Sequence, residues 1–129
     1  MSGIIVIIVE CGSLIPPRER SMKFTTLIPL RFNDGQPVPV EQMGRIIDEL
    51  VVQFNGCSDE GITKGQWVDP KDLQLYRDES RRIFVVCDNR LLWEAQQAVI
   101  RIGKELGQLV MYFEVRDYDG VQLLEVPQA

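Results

Sequence analysis

From Phe24 to Phe32 every second residue falls on one side, with Phe24, Thr26, Ile28, Leu30 and Phe32 facing one way and Thr25, Leu27, Pro29 and Arg31 the other. A period of two predicts a strand. Pro29 has no N–H for a ladder, so it predicts an edge position or a bulge near the strand's end. Asn33-Asp34-Gly35 then supplies turn chemistry. Val40, Met43, Ile47, Leu50, Val51 and Phe54 recur at helical spacing, with Glu41, Gln42, Arg45, Asp48, Glu49 and Gln53 opposite. Pro39 suits the start of that helix and Asn55-Gly56 its left-handed stop. Ile62 to Val68 reads as a second strand, Asp69-Pro70-Lys71-Asp72 as a turn and Arg81 to Cys87 as a third strand, the two joined by a charged, hairpin-like loop of about a dozen residues. Arg90 to Leu106 carries a second helical stripe, Leu91, Leu92, Ala95, Ala98, Val99, Ile102 and Leu106, stopped by Gly107. Leu109 to Val115 predicts a fourth strand, and Asp119-Gly120 a tight hairpin into Val121 to Val126.

The order strand, helix, strand, strand, helix, strand is that of a ferredoxin-like βαββαβ sandwich. Right-handed crossovers place both helices on one face of an antiparallel sheet, so the fold class is α+β. Ile4 to Val9 adds a run of six apolar residues ended by Glu10, too short to span a bilayer and lacking the basic flank of a signal peptide. It reads as a buried extra strand, with Ile15 to Ser21 as a connector broken by Pro16 and Pro17. The expected organisation is an extension over 1–21 before one domain over 22–129, with further strands at both ends.

With 129 residues, 45% apolar and 26% charged, the chain has material for one core. The formal charge of −5 repels phosphate backbones and anionic membranes, which argues against nucleic-acid and membrane partners. Cys11, Cys57 and Cys87 form no C-x-x-C pair, so no zinc or redox motif is expected, and a reduced, cytoplasmic setting is. There is no histidine, which removes the usual neutral-pH base, the commonest metal ligand and the Ser-His and Cys-His nucleophile pairs. The expectation is a protein without catalytic residues, metal or cofactor.

The sheet face away from the helices should carry Thr25, Leu27, Thr63, Trp67, Phe84, Val86, Val110 and Tyr112, too apolar a row to be left in water. Its candidate binding residues are Trp67, Thr63, Phe84 and Tyr112, with Arg82 beside them. Trp93 and Ile100 lie seven apart on the second helix, opposite its core stripe, and form a candidate docking ridge. The carboxylate pairs Asp59/Glu60, Asp69/Asp72, Asp78/Glu79 and Asp117/Asp119 all fall in expected turns or loops. Asp117-Tyr118-Asp119-Gly120 lacks the downstream glutamate of a calcium loop and reads as a plain turn. Arg77, Arg81 and Arg82 among Asp78 and Glu79 read as a solvated, self-paired loop. Cys87 reads as an inert buried thiol. RNA-recognition domains share the element order, yet Arg81 to Asp88 offers one aromatic, no glycine and an acidic end where such domains carry base-stacking aromatics.

At Leu27-Ile28-Pro29-Leu30, Asn33-Asp34-Gly35, Phe54-Asn55-Gly56, Gly65-Gln66-Trp67 and Arg77-Asp78-Glu79, the chain resembles a group of short, uncharacterised bacterial ferredoxin-like domains. The resemblance spans about Lys23 to Val115 and implies an antiparallel α+β sandwich without implying an activity.

The residues together favour a non-catalytic interaction or regulatory protein. It would pair with a second copy through the open sheet face, or dock a larger protein by Trp93 and Ile100. The alternative is a dimeric α+β barrel of the oxygenase or isomerase type, with a small molecule lined by Trp67, Tyr112, Thr63 and Arg82. An RNA-recognition-like binder is the least favoured reading.

Overall fold

The computed structural model describes residues 21–117 and 124–128. Its elements are β1 (Ser21–Pro29), α1 (Val40–Phe54), β2 (Ser58–Val68), β3 (Leu75–Asp88), α2 (Leu92–Glu105, entered through a 3-10 turn at Asn89–Leu91) and β4 (Phe113–Arg116). The sheet runs β2-β3-β1-β4 and every neighbouring pair is antiparallel. The two helices cross over between β1 and β2 and between β3 and β4, the ferredoxin-like α+β topology the apolar pattern predicts.

Both helices cover the same face. Met22, Phe24 and Ile28 of β1 and Ile83 and Val85 of β3 form one buried cluster with Met43, Ile46, Leu50 and Phe54 of α1 and Ala95, Ala98, Val99, Ile102 and Leu106 of α2. Phe24 anchors it, edge-on to Phe54 at 5.3 Å and stacked on Phe113 at 5.5 Å. Burying an aromatic or branched side chain of this size contributes roughly 1.5–3 kcal/mol each, which makes this layer the main source of stability. Between the outer ends of the helices, Gln42 donates to Glu105 at 2.9 Å, Arg45 pairs with Glu105, and Arg101 donates to Gln53 at 3.1 Å.

Several boundaries differ from those the sequence predicts. β1 ends at Pro29 and does not reach Phe32, and it is an interior strand. The proline is tolerated as its last residue, after which Leu30 N donates to the Glu79 carbonyl at 3.0 Å. In α1, Val40 is 83% exposed and Val51 is also exposed, while Ile46 turns to the core. Leu92 is likewise exposed at the start of α2. The fourth strand is shorter than expected, and Leu109 and Val110 precede it in the open. Residues 124–126 lie outside any strand; the rest of the expected C-terminal hairpin, with most of the Asp117–Gly120 turn, falls at 118–123, outside the described residues. The expected strand at Ile4 to Val9 lies outside them too.

The largest correction concerns the charged loop expected between β2 and β3. Both strands continue through it and meet at a six-residue turn, closed by Asp69 N donating to the Gln74 carbonyl at 3.1 Å and Leu73 N to the Asp69 carbonyl at 2.8 Å. The Asp69 and Asp72 carboxylates accept from Lys71 N and Gln74 N two residues on, the local pattern that makes aspartate a turn former. β1 pairs with β3 only as far as Ser80. Lys64–Val68 and Leu75–Glu79 therefore continue past the sheet as a two-stranded ribbon. Near the other end of β2, Gly61 at φ 89° accommodates a register shift between Asp59 and Ile62, a backbone angle that glycine adopts without steric cost.

Candidate functional site

No helix or strand among the described residues lies on the sheet face opposite the helices. The register determines which residues point to that side, Thr25 being buried among them. Thr25 opposes Phe84, Leu27 opposes Arg82, Lys23 opposes Val86, Thr63 opposes Ser80 and Trp67 opposes Tyr76. Of the residues singled out from the sequence, Trp67, Thr63, Phe84 and Arg82 thus share one surface. Tyr112 joins them at its edge, lining a groove with Leu27, Trp67 and Tyr76.

Two cations of this face, Arg82 and Lys23, are held within it. Arg82, half-buried, donates from Nε to Glu60 Oε1 at 3.0 Å and holds Nη2 at 3.6 Å from Glu114 Oε1. Lys23 Nζ stands 4.1 Å above the Phe84 ring, a cation–π contact. On the helix side, Arg81 pairs with Asp59 at 2.9 Å. The arginines are therefore not a self-paired loop as expected: all three sit in β3, where Arg81 and Arg82 reach carboxylates of β2 and β4 and Arg77 reaches Gln66 of β2. The extension of β3 accounts for this, because cross-strand neighbours replace sequence neighbours as partners.

At the ribbon end the face opens into a groove of about 820 Å³. Its aromatic floor is Trp67 stacked on Tyr76, ring centroids 4.8 Å apart and planes 20° from parallel. The Tyr76 hydroxyl donates to Asp72 Oδ2 at 2.5 Å. That bond holds the Tyr76 hydroxyl above and the Asp72 carboxyl below their ordinary pKa values. Asp78, Gly65, Arg31 and Gln108 complete the rim. Sequence reasoning missed Tyr76 and Glu114, and placed Asp78 and Glu60 in turns or loops where the structure has them in strands. Tyr76 and Asp78 share the parity of Arg82 and Phe84, a signal visible only once the hairpin is closed at 69–74.

Trp93 and Ile100 stand apart from this face. Both are exposed on α2, as the 3.6 period predicts, but α2 packs on the opposite side of the sheet. Ile100 borders a second groove of about 570 Å³, with Val99, Gly103, Leu109, Val110 and Met111. The structure does not bring the ridge and the sheet face together.

Among the described residues no group of three or more metal-ligating side chains assembles, and no helix is long and apolar enough to cross a membrane. Burial pushes the Cys87 thiol up to about 12, with neighbouring Asp88 adding to the effect, and burial raises Cys57 as well. Neither thiol is activated as a nucleophile.

No family model and no curated protein match the chain. Solved structures do. A phage SAM lyase in complex with S-methyl-5'-thioadenosine superposes with a TM-score of 0.62 at 11% identity, over 77% of this chain and 82% of that one. The divalent ion tolerance protein CutA1 from Ehrlichia chaffeensis gives 0.53 at 14% identity, over 76% and 80%. A Bacillus cereus protein related to NIF3 gives 0.55 at 14% identity, over 75% of this chain and 25% of that one. At these identities the likeness establishes a shared small α+β fold.

Proposed function

We propose that this chain is a non-catalytic binding protein that associates with copies of itself through the open face of its sheet. The observation that carries this reading is the pairing of charges among apolar residues. Leu27, Phe84 and Val86 surround an Arg82 already held by Glu60 and Glu114 and a Lys23 already seated on Phe84. Cations held in advance in this way lose less on desolvation than free ions would, because burying an unpaired charge is the costly case. The ribbon extends the same surface with Trp67, and Leu73 stands 78% exposed at its turn. Two strands alone are marginal in water, so a ribbon with apolar side chains gains from being packed against another body.

Light scattering tests the assembly. The expected result is a particle heavier than the 14.8 kDa chain, reduced to monomer by Phe84→Glu with the circular dichroism spectrum unchanged. A wild-type protein that stays monomeric at every concentration examined overturns the reading.

A second reading, a small molecule in the groove at the ribbon end, is favoured by the Trp67–Tyr76 stack. Trp67 is 49% exposed in that stack, and both rings line a concave site of ligand size.

A further inference from the structure

Gly65 and Asp78 face each other across the β2–β3 pair, next to Trp67 and Tyr76 on the same side of the ribbon. A Cβ built on Gly65 would stand only 2.6 Å from Asp78 Oδ1. The absent side chain is what allows the carboxylate to lie down across the neighbouring strand. Successive residues on one strand face are roughly 7 Å apart, which places this carboxylate one step from the aromatic stack.

The other charged residues of the groove have partners. Lys64 is 4.0 Å from Glu79, Arg77 donates to Gln66 at 3.4 Å, and Arg31 donates to the Gly35 carbonyl at 3.1 Å. The Asp78 carboxylate has no hydrogen bond or ion pair among the described residues. The Tyr76 hydroxyl is committed to Asp72, which fixes that ring and leaves the half-exposed Trp67 indole as the stacking surface.

The geometry points to a site for a small planar nitrogen cation, a guanidinium or amidinium, stacked on Trp67 with its N–H groups donating to Asp78. This rests on the reading of the groove as a ligand site and adds the class of ligand. A flat cation satisfies both halves at once: its plane matches the indole and its in-plane donors match the two carboxylate oxygens. The chain's charge of −5 favours the approach of cations.

The probe is benzamidine, with neutral, isosteric benzamide as control, and the readout is Trp67 emission in a Trp93→Phe background, since the chain has only these two tryptophans. Benzamidine is expected to quench saturably and benzamide to bind at least tenfold more weakly. Asp78→Asn should erase the preference for the cation. Gly65→Ala should weaken benzamidine binding by displacing the carboxylate, and it folds because only the end of a flexible side chain must move. Equal binding of both probes, absence of saturable quenching, or wild-type affinity in Asp78→Asn overturns the inference. Light scattering on the same samples separates the two proposals: assembly without benzamidine binding removes the cation site alone, and benzamidine binding by a strict monomer removes the self-association alone.

Discussion

The hydroxyl of Thr26, fully buried in the middle of β1, donates to the backbone carbonyl of Tyr112 at 2.8 Å, one residue before β4 begins. This bond satisfies a polar group inside the core and fixes where the fourth strand joins the sheet. Thr26→Val keeps the shape and removes the donor, leaving the carbonyl to find water or stay unpaired. The expected loss is about 1 kcal/mol in urea denaturation, the usual net worth of one such bond, with the amides of Phe113–Arg116 exchanging faster.

Leu73 occupies the left-handed region at φ 58° in the turn between β2 and β3. A side chain with a Cβ there costs about 1–2 kcal/mol relative to the right-handed region. Leu73→Gly removes that strain at an entropic cost of roughly 0.5–1 kcal/mol, so the variant should be more stable by up to about 1.5 kcal/mol. An unchanged or lower urea midpoint would show that Leu73 makes a compensating contact.

The element order and the helix-covered sheet face were legible because each is written as a change of period, and burial enforces period. What escaped the sequence lacked that enforcement. Leu75 to Ser80 reads as a charged loop because the ribbon leaves the sheet and has no core side to impose alternation. Val40 and Val51 read as core because the apolar arc of α1 is wider than the surface covering it, and nothing local says that Ile46 is favoured over them. The shared surface of Trp67, Phe84 and Arg82 followed from parity, whereas Tyr76 and Asp78 needed the hairpin register that only the closed turn supplies.

The Tyr76–Asp72 bond predicts a linked pH dependence at the ribbon turn. Asp72 titrates below its ordinary value in the fold, so the stabilisation it contributes is present above the ordinary carboxyl range and is lost as pH falls through its lowered folded value. Tyr76 is raised, so its contribution is present below pH 10 and is lost as pH rises through the raised folded value. Both displacements have the side-chain hydrogen bond as their largest cause. Tyr76→Phe should therefore move the Asp72 titration upward, toward its ordinary value, read from its carboxyl carbon by NMR. An Asp72 midpoint unmoved by that substitution would assign the shift to the backbone N–H of Gln74 instead.

Cys87 offers the corresponding test on the helix side of the sheet, where it opposes Met22 and packs against the core. Its thiol is held at about 12 because burial penalises the thiolate, with the charge of Asp88 adding to the effect. At pH 8 only about one molecule in ten thousand carries the thiolate there, against roughly one in ten for a thiol titrating at 9. Iodoacetamide should therefore modify Cys87 in the folded protein about a thousandfold more slowly than in the urea-unfolded chain, followed site by site by mass spectrometry. The folded value is raised, so the stabilisation is fully present below pH 9 and declines as pH climbs from 9 towards 12. Cys87→Ala removes the titrating group, and its stability should fall less steeply than that of the wild type across that interval, whatever the cost of the lost sulfur at neutral pH. Parallel alkaline profiles for the two proteins would show that the thiol is reached by water and that β3 opens at this end.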